Sequence, residues 1–391
     1  MTLADSLKAP QRRINAHRGL VIDVPRWVEA HEYHRIQLAR HGMAMHSSGI
    51  ISGLEVMECD PPAGAVLVYP GAALDQEGRL IVVAEPHRLD LPFNAGGLAH
   101  IALQYREVSD SPIRRSGEDQ DLPLYTLEVF SISGGKKPPT GPYLELARVQ
   151  VSGAESVISD ANDWRTPTAD EIDLRFREQA GHWPTQDVKV GIASIETGSE
   201  TSIGHLLGTM ELIRTVNSEA RFRARFAGAF DLSAGVEGCD LLIMAGRDAF
   251  SLNAAGQENL AAYLAAGGIL FGESCRAGES ESREAEAFGQ SFQALAEALG
   301  IEMIPVDRGH PLLSAHHMFS GAPYGVGGEH SVSAGAGMIY SQGDYGCLWN
   351  GGLPGSAATR ETIRSAVECG MNLLAYAAQV SYEHSLKTPS P

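Results

Sequence analysis

The sequence predicts a chain of class α/β plus β: a helix-led, mostly antiparallel β module followed by an α/β domain built on a parallel sheet. Three observations carry this reading. Apolar residues recur with a helical period from Pro25 to Met45, then with a period of two as far as Val151. From Val188 onward the pattern is strand, helix, strand, with continuous apolar runs such as CDLLIMAG, as expected of a parallel sheet covered on both faces. A length of 391 residues also exceeds one ordinary core, so two or three domains are expected.

Taken in order, residues 1–20 read as a polar arm. The β module occupies 21–152 and opens with the helix 25–45, where Pro25 suits a first helical turn. Its strands lie in GIISGLEVMEC, AVLVYPGAALD, RLIVVAEPHRLDL, HIALQYREV, LYTLEVFSI and YLELARVQV, the first of them separated by Pro-Pro, Gly and Gln-Glu-Gly turns. Residues 153–187 are polar, contain Pro167 and Pro184, and read as a long connector packed along a domain surface. The α/β domain, 188–381, runs VKVGIASI (strand), IGHLLGTMELIRTVNSEA (helix), RFAGAFDL and CDLLIMAG (strands), then a helix stopped by Gly267 and Gly268. ILFGE, a helix ending at Gly300, the strands IEMIPV and GMIYSQ and a closing helix from Arg360 complete it, with 382–391 as a tail.

Composition excludes several classes. The hydrophobic and charged fractions of 43% and 20% are those of a globular protein, and no apolar run approaches a membrane span. With 48 acidic against 30 basic residues the net charge is -18, which repels a phosphate backbone, so no nucleic-acid partner is expected. The first residues carry basic side chains without a following apolar core, so no secretory signal and synthesis in the cytoplasm are expected. Five scattered cysteines without a C-x-x-C pair predict free thiols rather than a disulfide framework or zinc ribbon.

The most informative stretch is GGILFGESC, Gly267 to Cys275, because ligands and nucleophiles sit at the carboxyl ends of strands in open α/β sheets. Cys275 as a nucleophile would need a base, and His310 in GHPLL is the candidate. A nucleophile elbow of the class I glutamine amidotransferase kind wants small residues two before and two after the cysteine; Ala277 complies and Glu273 does not. No His-x-Glu follows. A simply buried thiol therefore outweighs a reactive one. Glu273, Ser274, Asp344 and Tyr345 are assigned to the rim of the same crevice, where two carboxylates with His310 would suit acid–base work or a metal, or only local turn bonding. His31, His34, His41 and Met45 share a face of the first helix, but no carboxylate or thiol completes a metal set there. The glycine-rich pieces GAPYGVGGEH and SAGAGM fit no phosphate-binding order, so neither a cofactor nor a metal is assigned.

The region from Trp183 to Ala378 resembles a bacterial family, the domain of unknown function four-one-five-nine. The resemblance rests on AAGG, ILFGESC, the HPLL box at 310–313, IYSQGDYGCLW at 339–349 and CGMNLLAYAA at 369–378. That family is similar to ThuA-like and class I glutamine amidotransferase-like folds, which implies a flavodoxin-like sheet and no established activity. Its members carry acids in the turn after ILF; here Glu273 keeps one and Ser274 replaces the next. The N-terminal half, through EYHRIQLARHGMAMHSSGIISGLEV and VLVYPGAALDQEGRLIVV, is similar to β modules encoded in phage-tail-like and contractile-injection-system loci. These resemblances imply a non-enzymatic structural or attachment protein, with protein partners in a larger assembly, a homo-oligomeric state, and release from the cell as part of a particle. A cysteine-dependent hydrolase or amidotransferase-like enzyme using Cys275 and His310 is the first alternative, and a sugar- or polyol-binding domain the second.

Overall fold

The computed structural model describes residues 12–91, 96–113, 122–181, 186–194, 202–218, 222–276, 283–326, 331–352 and 358–387. Most of the expected arm (1–11), Ala277 and the last four residues of the tail lie outside these. The chain divides into two compact units, Met1–Pro184 and Thr185–Pro391.

The first unit opens with α1 (Val24–Met45), close to its expected span. Asp23 caps it, its carboxylate accepting from Arg26 N at 3.1 Å, and Pro25 occupies the first turn, where no amide partner is needed. The strands that follow are β1 (Gly49–Gly53), β2 (Val56–Glu58), β3 (Ala65–Val68), β4 (Gly71–Leu74), β5 (Leu80–Val83), β6 (His87–Asp90), β7 (Gly97–Ile113), β8 (Leu122–Gly135), β9 (Leu144–Val151), β10 (Ser159–Asp160) and β11 (Glu171–Asp173). They form two three-stranded sheets, ordered β1-β4-β5 and β2-β3-β6, and a five-stranded sheet ordered β10-β11-β9-β7-β8. Every pairing among them is antiparallel except β10 with β11. One core, including Val66, Val68, Ile81, Ile101, Leu103, Leu146 and Val149, fills the unit.

The segment expected as a connector belongs to this core. Ile158 and Ile172 are buried in it, and residues 178–180 hydrogen-bond along Ile50 of β1. Glu171 pins the segment: its carboxylate accepts from Thr168 N and from Asn162 Nδ2, each at 2.8 Å. Those bonds, the Thr168 amide first, hold its pKa below the ordinary glutamate value. Glu171→Gln is therefore expected to cost about 1–3 kcal/mol, read by chemical denaturation at neutral pH. A lowered folded pKa gives stability that is present above the unfolded value and lost as pH falls through the folded one. The difference between the two proteins should accordingly shrink as pH drops below about 4.3, and a difference independent of pH would refute the assignment.

The phrase PGAALDQEGR explains itself as a turn. Asp75, nearly fully buried, accepts from Glu77 N and Arg79 N at 2.9 Å each and from Arg79 Nε at 2.7 Å, closing the β4–β5 hairpin. Gly78 has φ +73°, and a Cβ there would lie 2.1 Å from Ala39 O, so only glycine lets the turn touch the backbone of α1. Gly42 meets the same turn from the helix side, where an added Cβ would lie 3.0 Å from Gly78 O. This contact anchors the C-terminal end of α1; its only buried residues are Gly42 and Met43.

The second unit is a seven-stranded sheet with β12 (Gln186–Ser194), β13 (Phe222–Asp231), β14 (Leu241–Gly246), β15 (Ile269–Ser274), β16 (Ile304–Pro305), β17 (Val332–Gly335) and β18 (Met338–Ser341), ordered β13-β12-β14-β15-β18-β17-β16. Six strands run in one direction and β17 alone opposes them, so the β18–β17 and β17–β16 pairings at one edge are antiparallel. The wholly parallel sheet expected from sequence is corrected here: Ala336 and Gly337, both at positive φ, turn β17 back as a hairpin onto β18. The expected strand IEMIPV contracts to Ile304–Pro305.

Helices α2 (Ser202–Val216), α3 (Ala254–Ala265), α4 (Arg283–Ala298), α5 (Tyr345–Trp349) and α6 (Arg360–Lys387) complete the unit. The strand period of two sorts β15 between two layers. Leu270 shares a core with Tyr263, Phe288 and Phe292 of α3 and α4, and a Cβ on Gly272 would strike the Phe292 ring at 2.1 Å. Phe271 faces the other way, toward Trp349 of α5, with ring centroids 6.2 Å apart. Glu273, two residues on, shares that second face.

Candidate functional site

At the carboxyl end of β15 the chain buries five chemically active side chains together. Glu273 and Asp344 are 0% exposed, His205 and Cys275 2%, and Cys347 3%. His205 comes from α2, Glu273 and Cys275 from the end of β15, and Asp344 and Cys347 from the loop and short helix after β18. The imidazole is central. Its Nε2 lies 3.1 Å from Glu273 Oε2 and 3.3 Å from Asp344 Oδ1, while its Nδ1 lies 4.0 Å from Cys347 Sγ.

Local backbone geometry explains the convergence. Asp344 sits in the left-handed region at φ 51°, which aspartate tolerates better than most residues, and this turns the chain from β18 into α5. The turn aims the amides of Tyr345 and Gly346 at Glu273, which accepts them at 2.9 and 2.7 Å. Asp344 Oδ2 accepts from Arg276 N at 2.9 Å, whereas its Oδ1 is buried and makes no hydrogen bond. Helix α2 approaches closely because Gly208 presents no side chain; a Cβ there would lie 1.8 Å from Gly346 O.

The electrostatics follow from burial. Desolvation opposes charge on His205, but the Cys275 hydrogen bond and the two carboxylates outweigh it and raise its pKa well above the usual value. Desolvation pushes Asp344 up to about 7 despite the nearby imidazole. Both groups thus hold their protons more tightly than usual. Cys347 is raised by its hydrogen bond with Cys275 and by burial, so it is a thiol rather than a thiolate.

Of the residues read from sequence, Cys275, Glu273 and Asp344 are brought together, and Tyr345 joins them through its backbone amide while its hydroxyl donates to Pro323 O at 2.6 Å. Ser274 points to the opposite face, its Oγ 2.7 Å from Tyr340 Oη. His310 is placed elsewhere: it caps the short 3-10 turn Pro311–Leu313, its Nδ1 accepts from Leu312 N at 3.2 Å, and its ring lies 5.8 Å from that of Tyr376. Burial lowers its pKa. The imidazole beside Cys275 is His205, which sequence reasoning passed over along with Cys347. The available signal was a single histidine between glycines on an apolar helix, I-G-H-L-L-G, and a cysteine three residues after Asp344.

The thiols differ in access. Cys275 is closed off, whereas Cys239 is partly exposed, beside a cleft of about 490 Å³ at the amino ends of the strands, lined also by Lys189, Gly238, Tyr263 and Ser381. Burial pushes the Cys239 thiol up to about 12, so its alkylation is slow too. Iodoacetamide at neutral pH is expected to label Cys239 slowly and Cys275 only after unfolding, as read by peptide mass spectrometry. Fast labelling of the native chain that disappears in Cys275→Ala would contradict this.

Fold and site together define a parallel-rich α/β domain with a closed polar cluster at the carboxyl edge of its sheet, joined to an antiparallel β module. Residues 208–378 match a family profile described as "Domain of unknown function (DUF4159)", as the C-terminal resemblance implied. Among curated proteins nothing matches the chain. Among solved structures, a crystal structure of TssK aligns at 13% identity and a TM-score of 0.26, over 39% of this chain and 41% of that one. A ThuA-like protein from Bacteroides uniformis ATCC 8492 aligns at 13% identity and a TM-score of 0.25, over 50% of this chain and 90% of that one. This chain therefore spans less than half the length of TssK, and at such scores neither likeness bears on fold or function.

Proposed function

We propose that this chain is a non-enzymatic assembly or attachment protein, of the kind that phage-tail-like particles and contractile injection systems use, docking through its N-terminal unit. The observation that carries the reading is α1. Twenty-two residues of helix bury only Gly42 and Met43, while Trp27, Val28, Leu38 and Met45 are 57%, 52%, 73% and 54% exposed. A helix so little packed is marginal by itself. Covering those four side chains on a partner would recover roughly 1.5–3 kcal/mol for each one fully buried.

The β7–β8 ribbon supports the same reading. It continues to Ile113 and Leu122, beyond the core, and pairs the exposed Val108 with the exposed Leu127. Arg35 of α1 reaches Glu107 of the ribbon at 3.1 Å, so helix and ribbon flank one surface. In this reading the C-terminal unit is a flavodoxin-like, amidotransferase-like frame used for support or binding rather than chemistry. Thiol catalysis would call on the amide that follows Cys275 as an oxyanion donor. That amide, Arg276 N, is engaged by Asp344, and those of Tyr345 and Gly346 by Glu273.

The test is co-expression with the sheath and baseplate subunits of a contractile injection system from the same source. Co-elution as a defined complex is expected, and Trp27→Glu combined with Leu38→Glu should abolish it while leaving the melting temperature within about 2 °C, since exposed positions contribute little to the fold. A chain that stays monomeric and co-elutes with none of these subunits overturns the reading.

A further inference from the structure

We infer that the buried cluster is a structural zinc site, with His205, Cys275, Asp344 and Cys347 as its four ligands. One donor atom from each of these residues lies within 4.8 Å of all the others, the only such group among the described residues. One imidazole, two thiols and one carboxylate form the borderline-soft N/S/O set that zinc prefers over magnesium or calcium. A closed tetrahedral shell, with bonds of about 2.0–2.3 Å, sets donors roughly 3.3–3.8 Å apart. The longest separation would thus have to close by about 1 Å, a movement within reach of side-chain rotation alone.

Two further observations point to a cation. Asp344 Oδ1 is fully buried beside the other donors and accepts no hydrogen bond, with His205 Nε2 3.3 Å away. A buried carboxylate oxygen left without a hydrogen bond costs on the order of 1–3 kcal/mol, which a directly bound cation would offset. The imidazole is also oriented as a ligand would be. Its Nε2 faces Glu273 Oε2 at 3.1 Å and Asp344 Oδ1 at 3.3 Å, and its Nδ1 faces Cys347 Sγ at 4.0 Å; in the tautomer that donates Nε2–H to Glu273, Nδ1 is left to meet a metal. Metal-bound histidines are characteristically fixed in this way by a carboxylate behind them. Glu273 is itself locked by the Tyr345 and Gly346 amides.

The ion would bind as the thiols release their protons to solvent, and it would tie three elements together: α2 through His205, the end of β15 through Cys275, and the β18–α5 turn through Asp344 and Cys347. With all four ligands at most 3% exposed, no position is left open for substrate, so the role is structural. The inference stands independently of the docking reading.

The experiment uses the full-length chain, reduced and stripped with chelator in denaturant, then refolded with cobalt(II) as a spectroscopic stand-in and, in parallel, with zinc. One equivalent of cobalt is expected to give thiolate-to-metal charge-transfer bands and the visible bands of a tetrahedral ion, both removed by one equivalent of zinc. Cys275→Ser and Cys347→Ser should each weaken the charge-transfer bands, and Cys59→Ser should leave them intact. Glu273→Gln should lower affinity roughly 10–100-fold, as for loss of a carboxylate behind a ligating histidine. Asp344→Asn keeps the backbone preference and the Arg276 contact, so its loss of affinity reports on ligation rather than folding. Absence of the bands in the refolded wild type overturns the inference, as does their persistence in the Cys275→Ser, Cys347→Ser double variant. A Cys275–Cys347 disulfide in protein isolated under reducing conditions overturns it as well.

Discussion

Replacing His205 by alanine in the chelator-stripped protein is expected to destabilise the C-terminal unit by roughly 3–5 kcal/mol, a fall in Tm of about 6–20 °C. The imidazole stands between two carboxylates that are both fully buried, 3.1 Å from one and 3.3 Å from the other. Without it, two acidic groups face each other across a small void with no positive charge between them, and removing one partner of a buried pair costs far more than the pair itself contributes. Adding Asp344→Asn to His205→Ala should restore part of the loss, because the amide carries no charge and asparagine accepts the left-handed backbone. Calorimetry on the single and double variants decides it: a His205→Ala loss below about 1 kcal/mol, or no recovery in the double variant, would mean the cluster is electrostatically indifferent.

Gly208→Ala is expected to be nearly as damaging, on the order of 3 kcal/mol, and Gly204→Ala on the same helix neutral or stabilising by up to about 1 kcal/mol. The two substitutions share chemistry and helix, and differ only in what the new methyl meets. At Gly208 it would lie 1.8 Å from Gly346 O, which is backbone and cannot step aside without moving α5. At Gly204 it would lie 3.5 Å from Cys347 Sγ, an ordinary contact. Moving α5 away from α2 draws Asp344 and Cys347 from His205, so Gly208→Ala should also weaken cobalt binding in step with its effect on stability. Equal effects from the two alanines would sink the argument that close helix approach builds the cluster.

Much of the fold was legible because periodicity is written residue by residue. The change from a helical period to a period of two after Met45, and then to alternating strands and helices after Val188, marks both units. The hairpin from β17 to β18 escaped because only GMIYSQ, which holds β18, read as a strand, while most of the short β17 and its Ala336–Gly337 turn fall in the glycine-rich SAGAGM. The segment 153–187 escaped because Ile158 and Ile172 are isolated apolar residues in polar surroundings, and burial of such residues is set by long-range pairing.

The site was legible in part and for a definite reason. Glu273 lies at the end of β15 and Cys275 and Asp344 follow strands, and the carboxyl edge of a sheet is where sequence reasoning looks first. His205 lies on a helix, where a single polar residue among apolar ones is ambiguous. What brought it to Cys275 in place of His310 was the absence of a side chain at Gly208, a packing relation between residues 138 positions apart (Gly208 and Gly346) that no local pattern encodes.

The burial of α1 at its C-terminal end, with Arg35 reaching the ribbon at Glu107, has a consequence for how the protein can change. Because Gly42 and Met43 are its only buried residues, substitutions over its first four turns, Val24 to Leu38, leave the core's interlocking untouched. Recognition and folding are then written in separate stretches of the chain: the outer helix can be retuned to a new docking surface by drift, while the Gly42–Gly78 hinge point and the β hairpin beneath it stay under the full constraint of stability.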